Sequence, residues 1–198
     1  MNVVFDLGAV LIDWNPRYLF RKVFESEEKM EWFLDNVCHH DWNLANDQGR
    51  SFDEAVEEAI SRHPDWAREV RIYRDRWHEM IPGDIPGTVA ILEQLHAKGT
   101  PLYAITNWNG DTFRATRARF AFLGHFRDIV VSGDERLLKP EPEIFHLLAR
   151  RNNIKLEDSI FIDDDLKNVK GAEAVGMKGH HFTTPEKLAG ALQKLGIL

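Results

Sequence analysis

Residues 3–12 read VVFDLGAVLI, a single carboxylate among nine residues that are otherwise apolar or glycine. The β-branched and aromatic run before Asp6 predicts a buried strand, and Leu7-Gly8 predicts a permissive loop directly after it. An uncompensated carboxylate in such surroundings is expensive. Asp6 therefore needs a partner, a metal ion or a lysine, and the rest of the chain has to supply it.

Three more runs share this texture: PLYAIT at 101–106, DIVVS at 128–132 and SIFID at 159–163, and KGHHF at 178–182 adds a weaker fifth. Each of the first three is followed by a helical pattern. Strands alternating with helices predict a parallel sheet covered on both faces, a doubly wound α/β fold. In such sheets ligands bind beyond the carboxyl ends of the strands, at the switch in strand order.

Residues 15–82 read differently, as helix without a convincing strand. Asn15-Pro16 fits an N-cap with a first-turn proline, and Ser51 with Glu54 forms a capping box opening EAVEEAI. Trp66, Val70, Tyr73 and Trp77 fall on one face of a helix predicted to end near Ile81. Five of the six tryptophans (14, 32, 42, 66, 77) precede residue 83, as expected of a small helical insert that builds a core of its own. The stretch IPGDIPG (81–87) reads as the return to the sheet. The expected organisation is an α/β core of 1–14 and 83–198 with a helical cap of 15–82.

The net charge of −7, with lysine and arginine scattered, disfavours nucleic acid as a partner. A lone cysteine, Cys38, excludes an internal disulfide and fits a reducing, cytoplasmic setting. The short apolar run at the N-terminus, interrupted by Asp6, is neither a signal peptide nor a membrane span. The aromatic cap suits dimerisation and plain packing equally, so the oligomeric state stays open.

Four predicted strand ends carry polar groups. The first is Asp6-Leu7-Gly8. The second, ITN, offers Thr106 and Asn107, ordinary turn residues that are also a hydroxyl and amide donors suited to an anion. In the third, LLKPEP, Lys139 can neutralise carboxylates and grip a phosphate as a point charge. The fourth, FIDDD, stacks Asp163, Asp164 and Asp165 after an apolar strand. A helix N-terminus accounts for one or two acids there, but three adjacent ones call for a cation, and hard oxygen ligands suit Mg²⁺. Small residues at 171, 172, 174 and 176 fit a helix packed closely on the sheet.

Taken together, FDLGAVLID, ITN, the lysine of LLKPEP and FIDDD…GAEAVGM resemble, in order, the four motifs of the haloacid dehalogenase superfamily of hydrolases. The likeness is to the branch whose helical cap follows the first motif, and is nearest its phosphatases. It implies that Asp6 attacks phosphorus and forms an aspartyl-phosphate that water hydrolyses. It also implies a Mg²⁺ ion held by Asp6, the Gly8 carbonyl and Asp164, with Asp163 acting directly or through water. Thr106, Asn107 and Lys139 would bind the phosphoryl oxygens.

One position departs from the family pattern. The phosphatases place an aspartate, the general acid, two residues after the nucleophile; here that residue is Gly8, followed by Ala9 where glycine is usual. Either the leaving group departs unaided, or another residue (Asp13, His39 or His40) supplies the proton. Otherwise the reaction is dehalogenation, or the protein binds without turnover. The dehalogenases need no metal and carry serines in the fourth motif, which the aspartate run does not match. A phospho-receiver domain uses similar groups in another order and without a cap. The expected substrate is a small phosphorylated molecule, a sugar phosphate first, with a halogenated acid as the alternative. Trp14, Arg17, Trp42, Trp108 and the HHDWN stretch (39–43) are the pocket residues to inspect.

Overall fold

The computed structural model describes residues 1–198. Five strands form one sheet: β1 (Asn2–Phe5), β4 (Leu102–Thr106), β5 (Asp128–Val131), β6 (Ser159–Asp163) and β7 (Lys178–His181). Two short strands, β2 (Ile12–Asp13) and β3 (Gly83–Asp84), pair separately. The large sheet is parallel throughout, in the order β5-β4-β1-β6-β7. From β1 the chain builds outward through β4 and β5, then crosses back to lay β6 and β7 on the other side. The switch in strand order thus falls at β1, whose Phe5 is in register with Ala104 and Ile162.

Alternation along the strands sends side chains to two apolar layers. Val4, Tyr103, Ile105 and Phe161 pack with Ile144, Phe145 and Leu148 of α9 (Pro142–Asn152) and Ala172 of α10 (Leu166–Ala174). Val3, Phe5, Ala104 and Ile162 face the opposite layer. That layer holds Ile91, Leu92 and Leu95 of α6 (Pro86–Ala97) and Leu188 and Leu192 of α11 (Pro185–Lys194). Because both faces are covered, β4 and β6 are buried at every residue.

Residues 17–80 are helical: α1 (Arg17–Phe20), α2 (Glu27–Asn36), α3 (His40–Asp47), α4 (Phe52–Arg62), α5 (Ala67–Asp75) and a 3₁₀ turn at Trp77–Met80. Asn15 Oδ1 accepts from the Arg17 N–H at 3.0 Å, and the Ser51–Glu54 capping box is formed at both bonds. The β2–β3 ribbon hydrogen-bonds the outgoing chain to the returning one.

Three expectations change. The helix predicted to run to Ile81 stops at Asp75, because Arg76 leaves helical geometry (φ −116°, ψ 21°) and a tighter turn carries Trp77. Trp66 lies before that helix and stacks on Trp32, with centroids 5.4 Å apart. The helices also have no core of their own: Phe20, Phe33 and Tyr73 belong to the same apolar layer as Phe5 and Leu92. Trp77 of the helical segment meets Trp108 of the sheet side at 5.7 Å. The large aromatic side chains therefore weld the helices to the sheet rather than forming a separate unit.

Candidate active site

The carboxyl ends of β1, β4 and β6 converge with the loop carrying Lys139. Asp6 is 7% exposed, Lys139 3% and Asp163 fully buried. Lys139 Nζ stands 2.7 Å from Asp6 Oδ1 and 2.7 Å from Asp163 Oδ2. The partner that Asp6 requires is thus present in the chain. Asp6 Oδ1 also accepts from the Leu7 N–H at 2.7 Å, so the protein's donors converge on that one oxygen.

The three acids at 163–165 do three different things. Asp163 accepts from Lys139, from the Asp165 N–H at 2.8 Å and from Asn168 Nδ2 at 3.1 and 3.2 Å. Asp165 caps α10 through the Lys167 N–H at 2.8 Å. Asp164 and Asp165 are both exposed, and Asp164 is the one with neither a lysine nor a helix end to hold. The reading that all three call for a cation is therefore too broad, since a lysine and a helix end account for two of them.

A cation still fits here. Oxygen atoms of Asp6, Asp163 and Asp164 lie within 4.8 Å of one another. Burial first, and then the neighbouring Asp163 and Asp164, push the Asp6 carboxyl up to about 7 even against the pull of Lys139. Burial and Asp163 raise Asp164 as well. Burial works against the charge of Lys139, yet Asp163 and Asp6 outweigh it and hold the ammonium above its usual range. One lysine does not balance three acids, and a hard divalent ion on the open side would. The Gly8 carbonyl accepts no backbone N–H, and Gly8 lines the same space.

Thr106 is buried at the end of β4 and is among the residues lining the cavity. Asn107 differs from expectation in part. Its side-chain amide is committed to Lys139, accepting from the Lys139 N–H at 2.9 Å and donating to the Lys139 carbonyl at 3.1 Å. The side chain therefore fixes the lysine loop, and the Asn107 backbone N–H, which bonds no carbonyl, is the donor that stays available. Gly171 supports this loop from beneath: a Cβ there would meet the Pro140 carbonyl at 2.6 Å, so glycine is needed for the close approach of α10. Of the other small residues, Ala172 is buried, whereas Ala174 and Gly176 are exposed and do not contact the sheet layer.

Above these groups lies a cavity of about 630 Å³ lined by Asp6, Gly8, Thr106, Asn107, Lys139 and Asp164 from the sheet side. From the helical side come Trp14, Arg17, His40, Asp41, Asn43 and Asp47. Trp42 is absent from the wall, being buried with its indole N–H donated to Ala55 O at 3.1 Å. His39 serves as the cap of α3, and Asp13 accepts from the Tyr18 hydroxyl at 2.9 Å, so neither faces the cavity. Arg17 reaches it while paired to Glu31 at 2.5 Å. Sequence reading passed over Asn168, whose place on the inner face of α10 five residues after Asp163 was its only signal. It also passed over Asp47, which sits in NDQG and reads as a turn.

A doubly wound parallel sheet with a carboxylate–lysine–carboxylate cluster at its switch point, beneath the helices of residues 17–80, defines a Rossmann-like α/β enzyme. The chain belongs to the haloacid dehalogenase-like hydrolases, whose family model matches residues 3–180. It is similar to a sesquiterpene phosphatase of Aspergillus oryzae, 24% identical over 91% of this chain and 88% of the relative. A phosphorylated carbohydrates phosphatase of Thermotoga maritima is 25% identical over 89% and 82%. In structure it resembles a haloacid dehalogenase-family enzyme of Bacteroides thetaiotaomicron in complex with magnesium and inorganic phosphate. That likeness has a TM-score of 0.69 at 22% identity, over 92% of this chain and 93% of the other. No helix is long and apolar enough to cross a membrane.

Proposed function

We propose that this hydrolase is a Mg²⁺-dependent phosphatase of small phosphorylated molecules, working through an aspartyl-phosphate on Asp6. The observation that carries the reading is the placement of Lys139, 2.7 Å from both Asp6 and Asp163 at the floor of a polar cavity. With Oδ1 held by Lys139 and Leu7, Asp6 Oδ2 is the oxygen that attacks phosphorus. Thr106 Oγ1, the Asn107 N–H and Lys139 Nζ are the donors for the phosphoryl oxygens as charge develops. Asp163 positions the lysine. Asp6, Asp164 and the Gly8 carbonyl are the groups that would hold the metal, with Asp163 behind them. When bound, the ion supplies positive charge to the phosphoryl oxygens and offsets the repulsion among the acids.

In this reading 1–14 and 83–198 form the catalytic core and 15–82 the cap that meets the leaving group. Trp14 offers a stacking face, and Asn43, His40 and Asp41 offer hydrogen bonds, a lining suited to a polyhydroxylated leaving group. The Thermotoga relative named for phosphorylated carbohydrates supports the same choice. Sugar phosphates are therefore the first substrates to test.

The experiment measures phosphate release from sugar, acyl and aryl phosphates with Mg²⁺ and with EDTA, alongside halide release from 2-haloacids. Metal-dependent phosphate release that falls by roughly 10⁴-fold or more in Asp6→Asn is the expected result. Phosphate release that survives Asp6→Asn would remove the nucleophile assignment. Halide release indifferent to EDTA would replace the phosphatase reading with a dehalogenase.

A further inference from the structure

We propose that Asp47, delivered by cap helix α3, is the general acid of this site and does the work that the residue two after the nucleophile cannot do as Gly8. The inference rests on the phosphatase reading above.

The space that a side chain at Gly8 would fill is open, because a Cβ there meets nothing within 4 Å. Around it lies a small cavity of about 80 Å³, walled by Gly8, Trp14, Trp77, Trp108 and Asn107, with Asn43 and Asp47 completing it. Asp47 is the one titratable group on that wall. It also lines the larger cavity with Asp6, Thr106 and Lys139. A carboxyl from the opposite side of the cleft thus borders the space left by the missing one.

Its position is fixed by the sheet side, not by the cap alone. Asp47 Oδ1 accepts from the Asn109 N–H at 3.0 Å, and the Asp47 carbonyl accepts from Ser132 Oγ at 2.5 Å. Asn109 Nδ2 donates to the carbonyls of Asn46 at 3.2 Å and Arg50 at 3.3 Å. Asp47 Oδ2 accepts from Asn43 Nδ2 at 3.0 Å, and Asn43 Oδ1 in turn accepts from the Tyr73 hydroxyl at 3.0 Å. Both partners of the carboxyl are neutral donors, and no cation is in contact with it. The charged groups that face it are Lys139 and Asp6 across the cleft. Burial holds it well above the ordinary carboxylate range, although the Asn109 N–H and Lys139 pull the other way.

The step balances as follows. Asp6 Oδ2 forms a bond to phosphorus while the bond from phosphorus to the leaving oxygen breaks. That oxygen keeps the electron pair and takes the proton from Asp47, which becomes a carboxylate. In the second half Asp47 accepts a proton from the water that attacks the aspartyl-phosphate. The Asp6–phosphorus bond breaks, and both carboxyl groups return to their starting states.

The test compares turnover across phosphate esters of graded leaving groups, from 2,4-dinitrophenyl phosphate to a sugar phosphate, in the wild-type enzyme with Mg²⁺ and in Asp47→Asn. Asn keeps an oxygen for the Asn109 N–H and removes the proton. The wild type should depend weakly on leaving group. Asp47→Asn should lose roughly 10²–10⁴-fold on the sugar ester and little on the dinitrophenyl ester, which departs without a proton. Equal losses on both esters would make Asp47 a structural residue and overturn the proposal. Should Asp47→Asn fail to fold, the wild-type series alone decides: a steep fall in rate with poorer leaving groups means that no acid acts. A wild type inactive on every ester would instead sink the phosphatase reading itself.

Discussion

The floor and the roof of the cleft are built on opposite principles. On the floor, charges face charges: Asp6, Lys139 and Asp163 are almost wholly buried and paired at 2.7 Å. Where the roof meets the sheet side, uncharged partners hold α3: Asn109 and Ser132 from the sheet side, Asn43 and Tyr73 from the roof. A buried charged cluster is rigid and intolerant of losing a member, whereas a neutral hydrogen-bonded face tolerates loss and can be repositioned. In the proposed reading the floor does the chemistry and the roof meets the leaving group.

Removing the central charge is the hardest blow. Lys139→Ala leaves Asp163 buried without its cation, and such broken pairs cost about 3–5 kcal/mol. Chemical denaturation should show a loss of that size, with hydrolysis abolished. A loss under about 1 kcal/mol would mean that the floor is not the charge-locked unit described here.

Next comes the pH dependence of the same cluster. Asp6 moves from its ordinary 3.8 up to about 7 in the folded chain, so between these values the native state binds more protons than the unfolded state. The stability from this group is complete below about pH 4 and is lost as pH rises to about 7, on the order of 4 kcal/mol. Glu79, lowered to about 2 by Arg76 and Lys22, acts only in the acid range below and does not mask the effect. Thermal melting of metal-free protein should therefore fall from pH 5 to pH 7.5, and Mg²⁺ should restore it at the higher pH. A melting temperature that is flat across this range without metal would contradict the crowding of carboxylates.

The roof should respond more mildly. Asn109 caps α7 (Gly110–Arg117) through the Asp111 and Thr112 N–H groups and donates to the carbonyls of Asn46 and Arg50. Asn109→Ala is expected to cost about 2 kcal/mol, and to raise KM more than it lowers kcat. If kcat for dinitrophenyl esters collapsed as well, floor and roof would not be separable.

The same contrast decides what could be read from sequence. Asp6, Thr106, Lys139 and Asp163 were legible because each follows or borders an apolar run, and a parallel sheet brings all strand ends to one edge. The strands themselves follow from alternation and β-branched content, as in SIFID. The roof was not legible: Asp47 meets the cleft only because α3 docks on Asn109 and Ser132, residues 62 and 85 positions away. Asn107 deceived for a related reason, since its side chain turns to a loop 32 residues distant. The break at Arg76 is likewise tertiary: Trp77 is drawn toward Trp108 by packing that no local periodicity encodes.

The smallest expected effect lies at the seam between the two, in the loop after Asp6. Ala9 adopts φ 54°, a left-handed conformation that costs an L residue about 1–2 kcal/mol, and its side chain is exposed. Glycine would relieve that strain but loses more freedom on folding, about 0.5–1 kcal/mol. Ala9→Gly should thus stabilise the chain by about 0.5 kcal/mol, readable as a small rise in melting temperature. Its value lies in what turnover does alongside. If kcat holds while stability rises, the strain has no part in the chemistry. If kcat falls, the stiff alanine is what keeps the Gly8 carbonyl and the space beside it in place, and the charge-locked floor extends one loop further toward the roof.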